Sequence, residues 1–219
     1  MKKIFSSLML HFFSYLKNYL TFIGLLICAV VITYFFKDNA NSALYCISIF
    51  IWASIILSFL LGVNEYRKLC YNYLNVKINR KIFYVSSVVF TIINALFLVA
   101  IAALTSFLVT YITNITVLNA LHYVYLPFVF ILAFAIGNCL ALIFDNLRGV
   151  GIITIIVFAF LTLAFNEFVM DFIFNYLWIA LNYTIDNLYV VIATIISSMI
   201  LFAFIYYQIL TLDVQRIKK

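Results

Sequence analysis

The chain has 219 residues, of which 68% are apolar, 19% aromatic and 9% charged, against roughly 45–50% apolar and 25% charged in soluble domains. That balance excludes an ordinary soluble domain. The net charge of +6 does not indicate nucleic-acid binding, because the basic residues sit at the ends of apolar runs rather than along a solvated face.

About 20 consecutive apolar residues carry a helix across a bilayer, and several such runs occur. The expected fold class is an all-α polytopic membrane protein with six transmembrane helices and no separate soluble domain. Residues 1–18 read as an amphipathic interfacial helix. Ile4, Phe5, Leu8, Phe12, Tyr15, Leu16 and Tyr19 recur at helical spacing, and Lys3, Ser7, Ser14, Lys17 and Asn18 lie opposite. Lys2 and Lys3 resemble the start of a secretory leader, but no compact apolar core with a small-residue cleavage site follows. The first two spans are predicted at 19–36 and 43–63, joined by a polar turn.

Residues 64–82 form a charged island holding Glu65, Arg67, Lys68, Lys77, Arg80 and Lys81. Within it Tyr66, Leu69, Cys70 and Tyr73 share one face, opposite Glu65, Lys68, Asn72 and Asn75. Glu65 and Lys68 have the spacing of an i,i+3 pair. The segment reads as a short water-facing helix at the membrane surface, and equally as an ordinary basic loop. A third span over 83–113 is longer than a bilayer requires. A short outside connection ending at His122 leads to the fourth span at 123–144, with Pro127 early, where a missing donor does least harm. The fifth span is predicted at 150–165 and the sixth at 188–212. Residues 166–187 are apolar enough to suggest a further span. That would put Asp171 in hydrocarbon, at about 2.5–3.5 kcal/mol, and the basic tail outside. An external re-entrant hairpin is expected instead. With both termini cytosolic, only Lys37 of the thirteen basic residues lies outside, together with Asp38, Glu167, Asp171 and Asp186.

Catalytic motifs are not apparent. The five glycines never approach phosphate-loop spacing. The cysteines, Cys28, Cys46, Cys70 and Cys139, lack metal-ligand or Cys-x-x-Cys spacing. The predicted span interiors hold no Asp, Glu, Lys, Arg or His, which disfavours metal-dependent catalysis, acid–base catalysis and ion-coupled pumping. Their polar residues, Ser48, Ser54, Ser58, Thr91, Asn94, Asn138, Thr154 and Thr162, suit helix–helix contacts. Thr154, Phe158, Thr162 and Phe165 share one stripe, which fits either a path for an amphipathic cargo or a packing seam.

The interfacial helix, the six spans, the charged segment after the second span and the hairpin before the sixth together resemble the ABC-2 type exporter permeases. Glu65-Tyr66-Arg67-Lys68 and Ile78-Asn79-Arg80 match the motif region of that family's coupling helix. Leu69-Cys70, Val76-Lys77 and Ser86-Ser87 depart from it. The resemblance implies a non-catalytic permease of the bacterial plasma membrane that works by alternating access. Glu65, Tyr66, Arg67, Lys68, Tyr73 and Arg80 would engage a cytosolic ATPase dimer, which carries the ATP and Mg that this chain does not. A second permease, identical or paralogous, would complete the transporter. The small size is similar to exporters of amphipathic or lantibiotic peptides in self-protection systems. A substrate-binding subunit for vitamin uptake and a non-transporting immunity protein are the alternatives.

Overall fold

A computed structural model describes residues 2–35, 42–66, 79–116, 118, 120–144 and 188–211. These residues form five helices: α1 (Lys2–Phe35), α2 (Ser42–Asn64), α3 (Arg80–Thr113), α4 (Ala120–Phe144) and α5 (Leu188–Thr211). All five are long and apolar enough to cross a membrane. The predicted second, third, fourth and sixth spans correspond to α2 to α5. The predicted fifth span and hairpin, the turn before α2 and most of the charged segment lie outside the described residues, as do Arg67, Lys68, Tyr73, Thr154, Phe158, Thr162 and Phe165.

Side-chain contacts fix the helix directions. α1 and α3 run parallel, since Ser7 meets Ser86 and Tyr19 meets Asn94. α2 runs against α1, since Glu65 reaches His11 and Phe22 packs on Phe50. α5 opposes α3, with Arg80 bonded to the Leu210 carbonyl and Tyr84 to that of Phe202. It runs alongside α4, with Tyr125 on Thr194 and Cys139 on Leu201. Phe144 and Leu188 therefore lie at opposite ends of the bundle.

Local chemistry sets the ends of α3. Asn79 is extended (φ −63°, ψ 129°) and its side chain accepts from the Lys81 amide, satisfying an orphan donor. Asn114 terminates the helix in the left-handed region at φ 56°, and its amide donates to the Thr110 carbonyl. With 34 residues, α3 is about 51 Å long at 1.5 Å per residue, well beyond a hydrocarbon core of about 30 Å. Its length agrees with the long third span expected from the sequence.

α2 and α4 cross backbone to backbone. A Cβ at Gly62 would overlap the Phe134 carbonyl oxygen, and one at Gly137 would overlap that of Phe59. Each glycine thus receives the other helix's backbone. Lipid tails are as apolar as leucine, so helices in a bilayer associate through such close packing rather than through water exclusion. Phe90, Phe130 and Phe134 fill the core beside the crossing, while Leu20, Phe107 and Met199 project outward.

Three expectations change. No break at residue 18 separates an interfacial helix from a span: α1 is one helix of 34 residues. Its polar stripe is also divided: Ser7 is buried on Ser86, whereas Ser14 and Lys17 are exposed, as is apolar Leu16. A serine suits an interior position when the facing helix supplies its hydrogen-bond partner. Lys17 remains exposed, so continuity of the helix does not bury it. His122, expected in the outer connection, is buried in the first turns of α4.

Candidate functional site

The polar groups of greatest consequence lie where α1, α2 and α3 meet. α2 continues past Asn64 as a wider π-type turn over Glu65 and Tyr66, a local distortion common at functional positions. It directs Glu65 inward. Glu65 and His11 are both fully buried, with His11 Nε2 2.6 Å from Glu65 Oε1. The Tyr15 hydroxyl donates to Glu65 Oε2 at 2.9 Å, so both carboxylate oxygens are satisfied. His11, Tyr15 and Tyr19 are one turn apart on α1, which places all three along one seam.

The proton positions follow from the acceptors. His11 Nδ1 lies 2.7 Å from the Ser7 carbonyl, which only accepts, so Nδ1 carries a hydrogen. Nε2 and Oε1 therefore share one proton, as an imidazolium–carboxylate pair or as its neutral tautomer. The pair is electrically neutral in both forms. Isolating either partner would leave a buried charge or an unsatisfied group, at a cost of about 3–5 kcal/mol.

The surroundings hold this geometry. Phe83 stacks on the imidazole and Phe90 lies tilted against it, with centroids at 5.9 and 5.3 Å, and Phe90 also packs on Phe12 and Tyr15. Ser86 gives its proton to the Phe83 carbonyl at 2.8 Å, so Ser7 donates to Ser86 across 2.7 Å. One turn deeper, the Tyr19 hydroxyl donates to Asn94 Oδ1 at 2.6 Å, and the Asn94 amide approaches Ser58 Oγ at 3.5 Å. α1, α2 and α3 are thus joined at two levels. Other buried hydroxyls bond within their own helices: Ser54 to Phe50, Thr91 to Ser87, Thr105 to Ile101, Ser198 to Thr194.

Compared with protein-family models, curated proteins and solved structures, the chain matches none. Its functional reading therefore rests on the residues themselves.

Of the residues expected to engage a partner, Glu65, Tyr66 and Arg80 are described. Glu65 does not face water opposite Tyr66; both are buried. The helical-face reading placed them apart because it assumed a regular helix, whereas the π-type turn and His11 bring Glu65 inside. Arg80 is partly exposed, and its Nη1 donates to the Leu210 carbonyl at 2.7 Å. A cation on the last carbonyls of α5 complements that helix's negative end. Tyr84, one turn on, donates to the Phe202 carbonyl at 3.1 Å and packs on Tyr206 at 4.7 Å.

His11 carried no sequence signal of its pairing. It lies among apolar residues within predicted interfacial positions, 54 residues from its partner. The glycine pair was legible only as two isolated glycines. His11 lies within the span-length stretch Ser6–Phe35, ahead of the predicted 19–36, and Glu65 directly follows the stretch Cys46–Asn64.

Proposed function

We propose that this chain is the permease subunit of an ATP-driven exporter of amphipathic peptides. It sits in the bacterial plasma membrane with six spans and both termini cytosolic, and pairs with a second permease and a cytosolic ATPase dimer. One observation supports the reading: the two ends of the basic 64–82 segment are fastened to different helices. The Glu65 end is held to α1 by His11 and Tyr15, and the Arg80 end to α5 by Arg80 and Tyr84. A load applied to that segment reaches α1 and α5 as well as α2 and α3. The placement of Phe144 and Leu188 at opposite ends of the bundle supports the reading of one further span between them.

The test is co-purification in mild detergent, followed by hydrolysis and transport in vesicles. A bound ATPase whose hydrolysis rises with peptide, and falls when Arg67 and Lys68 are both changed to Glu, supports the reading. Full transport by that double variant, or transport without any nucleotide, overturns it. Glu65 is unsuitable for this charge reversal, because a lysine there would bury an ammonium against His11 with no carboxylate to pair it. The buried His11–Glu65 pair favours a second reading, a carrier driven by a proton gradient. In the same vesicles, transport driven by a pH difference without ATP would identify it.

A further inference from the structure

We infer that the His11–Glu65 pair is a proton-binding site whose occupancy sets how firmly α1 is held against α2. The inference is independent of the exporter reading. With Nδ1–H committed to the Ser7 carbonyl, the contact between Nε2 and Oε1 requires one proton between them. Removal of that proton leaves an imidazole lone pair facing a carboxylate oxygen across 2.6 Å, with an uncompensated negative charge in a dry site. The attraction becomes repulsion, and the seam between α1 and α2 weakens at the end of the bundle where the basic 64–82 segment is attached.

Among the described residues, the titratable groups beside the pair are tyrosines. From α1 the site faces the titratable hydroxyls of Tyr15, which already donates to Oε2, and of Tyr19, whose hydroxyl is committed to Asn94. α2 adds Tyr66, next in sequence to Glu65. α3 presents Phe83, Phe90 and Ser86, and α4 presents Phe134 behind Phe90; none of these titrates. Phe83 and Phe90 cover the imidazole, and both His11 and Glu65 are fully buried.

The direction with pH follows from the proton count. The lock is closed while His11 keeps its Nε2 proton and Glu65 remains its acceptor. It opens as pH rises through the titration of His11 in the folded protein. The contribution is therefore present on the acidic side of that titration and lost on the alkaline side.

The experiment uses the full chain in detergent micelles. Thermal unfolding is followed from about pH 6 to 9, around the ordinary histidine range, for wild type, His11→Gln, Glu65→Gln and the double variant. Each single variant should lower Tm by roughly 10 °C. The wild-type Tm should fall through the alkaline part of the range, while the double variant regains part of the loss and is flat there. The chain has two histidines, so ¹⁵N-histidine spectra resolve His11 by its loss in His11→Gln or its retention in His122→Gln. Its Nε2 should lose its proton over the pH range in which Tm falls, with Nδ1 protonated throughout. This spectrum decides the question even if Glu65→Gln does not fold. A double variant with the wild-type pH response, or an Nε2 proton that does not respond while Tm falls, overturns the inference.

Discussion

Substitution of the paired glycines gives the sharpest test of the packing. A methyl group at Gly62 would overlap the Phe134 carbonyl oxygen, and it would also stand 3.0 Å from the Asn138 amide nitrogen. Backbone atoms of a packed helix cannot rotate away as a side-chain end can, so α2 and α4 must separate by on the order of 1 Å. A gap of 0.5–1 Å forfeits about a quarter to a half of each dispersion contact it opens. Overpacking costs typically about 1–3 kcal/mol, and the intrinsic preference of helices for Ala over Gly returns up to about 1 kcal/mol. Gly62→Ala and Gly137→Ala should each cost a net of about 1 kcal/mol, or about 2–4 °C in Tm at this chain length. The double variant should cost less than the sum, because the first methyl already opens the crossing that the second requires. Gly24→Ala is the control: its added methyl meets nothing within 4 Å, so it should be neutral or slightly stabilising. Thermal unfolding of the four variants in micelles measures all of this. If Gly62→Ala is as stable as Gly24→Ala, or if the two core substitutions add fully, the reciprocal crossing is wrong.

Tyr19→Phe leaves Asn94 Oδ1 without its 2.6 Å donor and should cost about 1–3 kcal/mol; chemical denaturation in mixed micelles checks it. Asn79→Ala removes the side-chain acceptor of the Lys81 amide and should cost about 1 kcal/mol, seen as faster hydrogen exchange confined to the first turn of α3. Maleimide labelling of the folded chain should modify exposed Cys28 much faster than buried Cys46 and Cys139. For the topology, a cysteine introduced at Lys219 should be reached by a membrane-impermeant reagent only after the cells are opened; labelling of intact cells would overturn the six-span arrangement.

Hydropathy revealed much of the fold, because a bilayer leaves the chain few choices. Backbone polar groups in hydrocarbon must be satisfied within a helix, so span-length apolar runs translate directly into α2 to α5. The N-terminal helix was harder to read. An amphipathic pattern of Lys, Ser and aromatics looks alike whether its polar side meets water or another helix's polar groups. Ser7 and His11 belong to the second case through Ser86 and Glu65. Glu65 misled for the same reason: a carboxylate within a basic segment reads as solvated, and only its partner 54 residues away accounts for its burial. Glycine spacing gave no warning of the crossing, since Gly62 and Gly137 occur singly in their helices. Long-range partnership is the information that a pattern within one segment does not contain.

These contacts divide the bundle into parts of unequal rigidity. The α2–α4 crossing is backbone against backbone, with no side chain to yield, and the aromatic layer of Phe90 and Phe134 lies beside it. The α1 seam depends instead on a few directional bonds, with the His11–Glu65 proton at its strongest point. The α5 attachment depends on Arg80, Tyr84, Tyr125 and Cys139 reaching main-chain or hydroxyl partners. Packing without side-chain slack resists separation at every pH, whereas a polar seam fails when one proton is lost. Movement driven from the 64–82 segment would therefore occur at the α1 and α5 contacts, with the glycine-joined pair of α2 and α4 as the fixed body.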